Sequence, residues 1–119
     1  MTRLVAALLL VWEPLNFAIE ALTVLPTLAY RGWLAALELA FHGAAALLAA
    51  GGGAALWNRS QDSTRLATAA IVVAVLRNLQ SIYWSVLPNA APPDQKPLIA
   101  GSVLLIGSLS LLALHAGRR

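Results

Sequence analysis

Four apolar runs, each about as long as a bilayer core is thick, take up almost the whole of this 119-residue chain. A helix rises 1.5 Å per residue, so a hydrocarbon core of about 30 Å needs roughly 20 apolar residues in a row. The runs lie at 4–25, 33–57, 64–87 and 97–116. Only 11% of residues are charged and 60% are hydrophobic, whereas soluble domains carry about 25% charged residues. A globular core does not use so much apolar surface. The expected fold is an all-α integral membrane protein: four transmembrane helices in a compact up-down bundle, with residues 1–119 forming one domain and no soluble part.

Helix-breaking residues set the expected boundaries. Pro26 closes the first run, because proline cannot continue a helix without disruption. Asp62 and Ser63 are N-cap candidates for the third. Pro97 opens the fourth, where its missing N–H costs nothing. The connections are then 26–32, 58–63 and 88–96, the last reading PNAAPPDQK and too proline-rich for a helix. The start of the chain is apolar like a signal peptide. It runs on past Glu13-Pro14 and Glu20 without a cleavage site, so it is read as a retained first helix.

Charge placement gives an expected orientation. Arg3, Arg59, Arg65, Arg118 and Arg119 fall on one side, Arg31 and Lys96 on the other. Under the positive-inside rule, five against two puts both termini in the cytoplasm, with the chain integral to a bacterial inner membrane. Tyr30, Trp33, Tyr83 and Trp84 would mark the outer interface and Trp57 the inner one. The formal charge of +3 belongs mainly to these helix ends, so a nucleic-acid partner is not expected. Cysteine is absent, which excludes disulfides, thiolate metal sites and thiol catalysis. No cofactor and no metal are expected, since His42 and His115 lie too far apart in depth to clamp one haem.

The polar residues inside the runs are the candidate site. Arg77 sits well inside the third run, where a guanidinium costs about 2.5–3.5 kcal/mol on insertion scales. Helical periodicity aligns Glu13, Asn16, Glu20 and Thr23 on the first helix, Glu38 and His42 on the second, and Arg77, Gln80, Ser81 and Trp84 on the third. Pro14 interrupts the first stripe and is expected to kink that helix. At 1.5 Å per residue, Glu20 and Glu38 lie roughly 8 Å below the outer boundary, His42 and Arg77 roughly 14 Å, and Glu13 near the midplane. Arg77 is therefore expected to pair with Glu20 or Glu38, and His42 to hydrogen-bond Glu38. Glu13 is expected to stand apart as a coupling group or a carboxyl bonded within the bundle. Three glutamates against one arginine leave a carboxylate excess that must be neutralised or paired with another chain.

The run Gly43 to Ala55 carries small residues at four-residue spacing, including Ala46, Ala50 and Ala54, and Ala45, Ala49 and Gly53. Such faces let helices approach closely in lipid. They suit internal packing, self-association or a larger membrane complex.

Two resemblances follow from these motifs. EPLNFAIEAL (Glu13 to Leu22) resembles an element of prokaryotic diacylglycerol kinases, with Glu13, Asn16 and Glu20 on matching spacing. It covers ten residues. The family's Lys-Asp pair is missing from the following helix, where Glu38 stands alone, so a kinase is rejected. The general layout, with a glutamate midway along the first of four helices and the IAGSVLLIGS glycine spacing in the fourth, is similar to small multidrug resistance transporters. That likeness would make Glu13 a carboxylate coupled to protons and substrate. Arg77, Glu20 and Pro14 depart from that pattern.

The leading functional expectation is a small polytopic membrane protein that is not an enzyme. It would act as an accessory, assembly or self-associating module with a buried Glu/Arg/His cluster. The alternative is a proton-coupled or ion-selective transporter of small solutes using Glu13 and the outer-layer cluster. A lipid-modifying enzyme with Glu38 and His42 as acid and base stands third, because no nucleophile, metal motif or phosphate loop accompanies them.

Overall fold

The computed structural model describes residues 2–59, 62–84 and 95–116. All regular structure among them is helical. Helix α1 spans Thr2–Val24, a 3-10 turn Leu25–Thr27 leads into the single-turn α2 at Leu28–Arg31, and α3 spans Trp33–Trp57. Helix α4 spans Ser63–Tyr83 and α5 Lys96–Ala116. Four helices are long and apolar enough to cross a membrane, counting α1 to α2 as one segment from Arg3 to Arg31.

One expected boundary is met in part and two need correction. Helix α1 ends at Val24, next to the expected Leu25, yet Pro26 does not end the helical segment. It lies at the start of the 3-10 turn, where its lack of an N–H removes no needed bond, and the chain stays helical to Arg31. Gly32 makes the break instead, at φ 92°, a backbone region open mainly to glycine. Asp62 does not cap α4 through its side chain: its φ is 62°, whereas a capping side chain reaches the first N–H groups from an extended backbone. The third run was expected to reach Leu87, but α4 ends at Tyr83. Residues 85–87, and most of the proline-rich connection 88–96, lie outside the described residues. Pro14 sits within continuous α1.

Each long helix packs antiparallel on the one before it. The start of α1 meets the end of α3, with Arg3 stacked 5.1 Å over the Trp57 ring, while Val24 near the other end packs on Ala35 and Leu39. Helix α4 lies close at Gly52, where an added Cβ would sit 3.2 Å from the Ala70 Cβ and the Leu66 carbonyl oxygen and 3.3 Å from the Ala67 Cα. At Gly53 the neighbour is α1: a Cβ there would lie 2.9 Å from the Ala6 carbonyl oxygen. The small face Ala45, Ala49 and Gly53 is thus buried inside the protomer, whereas on the face of Ala46, Ala50 and Ala54 only Ala46 is buried and Ala54 is exposed. Helix α5 packs mainly on α4, where Gly107 faces Val75, and only lightly on α1. This chain of contacts makes the cross-section oblong, with overall extents of 50 × 29 × 17 Å.

Two apolar clusters form the core. One joins Val5, Leu9, Ala49, Leu56, Ile71 and Leu114 from all four long helices. The other joins Val24, Ala35 and Leu39 at the opposite end of α1 and α3. Between them lie the polar side chains. The outside is apolar: Leu4, Val11, Leu15 and Leu22 are exposed on α1, and Leu98, Leu105, Leu109 and Leu112 on α5. Glu13, His42 and Arg77 are buried. This reverses the arrangement of a protein that faces water on all sides.

Candidate functional site: a buried ionic network beside a polar cavity

The centre of the network is Glu13, only 1% exposed on the inner face of α1. Arg77 on α4 meets it with two hydrogen bonds: Nε donates to Oε2 at 2.7 Å, and an Nη nitrogen to Oε1 at 3.2 Å. This is the forked pairing for which a planar guanidinium is suited and an ammonium is not. Asn78 completes it, donating from Nδ2 to Glu13 Oε1 at 2.9 Å while its Oδ1 accepts from Arg77 at 2.9 Å. Both carboxylate oxygens are therefore bonded. Asn78 is in turn fixed by a second Nδ2 bond to the Ala74 carbonyl, one turn back along α4.

The partner of Arg77 is a correction to the sequence-based expectation. It is Glu13, not Glu20 or Glu38. At roughly 14 Å for Arg77 and near the midplane of a core about 30 Å thick for Glu13, the two residues already share a layer, so depth along the helix axes pointed to this pair. Asn78 was missed because it lies 100° around α4 from Arg77, off the stripe formed by Gln80 and Ser81. An asparagine inside an apolar run was itself a usable signal.

His42 on α3 makes the second contact. Its Nδ1 hydrogen-bonds Glu20 Oε2 across the α1–α3 interface, not Glu38 as the spacing on α3 suggested. Its other nitrogen, Nε2, lies 3.8 Å from Glu13 Oε2, beyond hydrogen-bond range, and has no hydrogen-bond partner among the described residues. Phe17 packs edge-on against the imidazole, with ring centroids 5.5 Å apart and planes at 74°. Glu38 lies half-buried one turn earlier on α3 and makes contacts of its own.

Two cavities flank this layer. The polar one, of about 370 Å³, is bordered by Glu20, His42, Arg77 and Asn78, with Asn16, Thr23 and Ser81 also on its wall. The apolar one, of about 130 Å³, lies between α1, α4 and α5 against the other side of Glu13. Asn16 and Thr23 each donate back to their own helix, to the Trp12 and Ile19 carbonyls at 2.8 and 2.9 Å. Gln80 bonds the Trp84 carbonyl near the end of α4 at 3.3 Å, while its buried Oε1 has no partner among the described residues.

The sequence-selected residues are thus divided. Glu13 and Arg77 form one knot, with Glu20 and His42 beside it. Asn16 and Ser81 border the cavity, and Gln80 bonds away from it. No group of three or more metal-ligating His, Asp or Glu side chains occurs among the described residues. No protein-family model, curated protein or solved structure matches this chain.

Proposed function

We propose that the chain is an integral membrane module without catalytic activity, which serves as an accessory or assembly subunit or associates with itself. The observation that carries this reading is the state of Glu13. A carboxylate that must exchange protons or solutes needs a vacant oxygen and a path to solvent. Glu13 is 1% exposed, and Arg77 and Asn78 engage both oxygens. Such a knot holds α1 against α4 in one register. The leucine-rich exteriors of α1 and α5 supply the surface that lipid or a partner helix would cover.

A second reading, a proton-coupled transporter, draws its support from the polar cavity beside Glu20. Reconstitution in liposomes separates the two. Under an imposed pH gradient and a panel of small cations, the wild type is expected to carry no proton flux. Flux that disappears in a folded Glu13→Gln variant would overturn the module reading in favour of transport.

Insertion and orientation are tested separately. The arginine excess at the termini and the α3–α4 connection supports a cytoplasmic position for those segments. Cysteines introduced at Thr2, Ser60 and Gly117 are expected to be protected from an impermeant thiol reagent in intact cells, and one at Ala91 to react. Equal labelling at all four would mean that the chain inserts in both orientations.

A further inference from the structure

Beyond its role in helix assembly, we propose that the polar cavity between α1, α3 and α4 is a binding site for a small organic ammonium ion, anchored by Glu20. Three independent features of the site point to this chemistry.

The first is charge. Glu13 and Glu20 face the network with two carboxylates, and Arg77 brings one guanidinium, which Glu13 engages. His42 decides whether the second carboxylate is balanced. Its Nδ1 is bonded to Glu20, and its Nε2, although the residue is only 3% exposed, meets no acceptor. A charged imidazolium would bury an N–H there without a partner, which is costly. A neutral ring with its proton on Nδ1 donates to Glu20 without cancelling its charge. Glu38, one turn away on α3, is a carboxylate and adds no positive charge. Glu20, part-buried at the cavity wall, is then left with a neutral donor in place of a counter-charge, and charges withdrawn from water are normally paired.

The second is hydrogen-bonding polarity. Asn16 and Thr23 lie one turn either side of Glu20 on α1, and both donate to carbonyls of their own helix. Each keeps oxygen lone pairs for a ligand, at Asn16 Oδ1 and Thr23 Oγ1, and Asn16 keeps one further N–H. With Glu20, they form a row of acceptors that suits a cation bearing N–H donors.

The third is size and lining. A volume of about 370 Å³ is far larger than one bare metal ion needs, and Ile19 and Val24 add apolar wall beside the acceptors. An alkylammonium ion fits both parts, its N–H groups on the acceptors and its hydrocarbon along Ile19 and Val24. Arg77 borders the cavity, but its bonds to Glu13 and Asn78 neutralise and occupy the guanidinium.

The test is calorimetric titration of the purified full chain in a non-ionic detergent. The probes are n-butylammonium, tetramethylammonium, n-butanol and butyrate. The expected result is saturable binding of n-butylammonium, with tetramethylammonium weaker because it has the charge without the N–H donors. Glu20→Gln should lower the affinity for n-butylammonium at least ten-fold. Asn16→Leu and Thr23→Val leave the Glu20–His42 contact in place and should each lower it several-fold, so the site is still tested if Glu20→Gln misfolds. The proposal is overturned by absence of n-butylammonium binding to the folded wild type, by equal binding to the Asn16 and Thr23 variants, or by preference for butanol or butyrate. None of these outcomes bears on Glu13, so the module reading stands or falls by its own experiment.

Discussion

Arg77→Leu should destabilise the fold by about 3–5 kcal/mol, because it leaves the Glu13 carboxylate buried without its guanidinium. Nothing near Glu13 can take over: Asn78 supplies one neutral hydrogen bond, and His42 Nε2 is too distant at 3.8 Å. Combining Arg77→Leu with Glu13→Gln should recover much of that loss, since the charge and its partner leave together and Asn78 can still donate to the amide oxygen. Arg77→Lys should fall in between, as an ammonium cannot make the forked contact. Unfolding in mixed micelles, arranged as a double-mutant cycle, measures the coupling. Simple additivity within about 0.5 kcal/mol would mean that the two side chains do not meet.

The second large effect is steric. Gly53→Ala should cost about 1–3 kcal/mol through overpacking. The added carbon would lie 2.8 Å from Leu10 Cγ, 2.9 Å from the Ala6 carbonyl oxygen and 3.1 Å from the Leu10 backbone nitrogen. A side chain can turn away, but two of these three atoms belong to the backbone of α1, so relief requires the helices to separate. Gly51→Ala, two residues earlier, meets nothing within 4 Å. It should be neutral or stabilising by up to about 1 kcal/mol, the difference in helix propensity. Opposite signs at two glycines two residues apart in one run, read in the same unfolding assay, are the signature of a contact on one face. Equal effects would mean that α1 does not lie against Gly53.

The helices were legible because their signal is carried by long stretches: some 20 apolar residues specify a span whatever the neighbours do. Their ends were less so. Pro26 is a strong local breaker, yet a 3-10 turn absorbed it and moved the break to Gly32. The polar layer was legible in its membership more than in its pairing. Glu13, Glu20, His42 and Arg77 stand out as costly residues in apolar runs. Which carboxylate meets which base depends on side-chain reach and on the facing of three helices, and neither is written in the spacing along one helix. The i, i+4 rule tied His42 to Glu38 because both lie on α3. The tertiary packing set it against Glu20 on α1 instead. The destination of the small-residue faces was likewise open in the sequence, and in the structure α1 and α4 occupy the buried ones.

The separation of Glu13 from Arg77 sets a timetable for synthesis. They stand 64 positions apart, with the whole of α3 between them. At about 5–20 residues per second, a ribosome needs roughly 3–13 s to travel from one to the other. In a bilayer, α1 would spend that interval with a carboxylate and no guanidinium. If the chain inserts as proposed, its first helix would have reason to linger beside the insertion machinery, or at the water interface, until α4 emerges. Any event that stalls translation after Trp57 would strand it there, giving a protease an unpaired acid by which to distinguish an abandoned chain from a finished one.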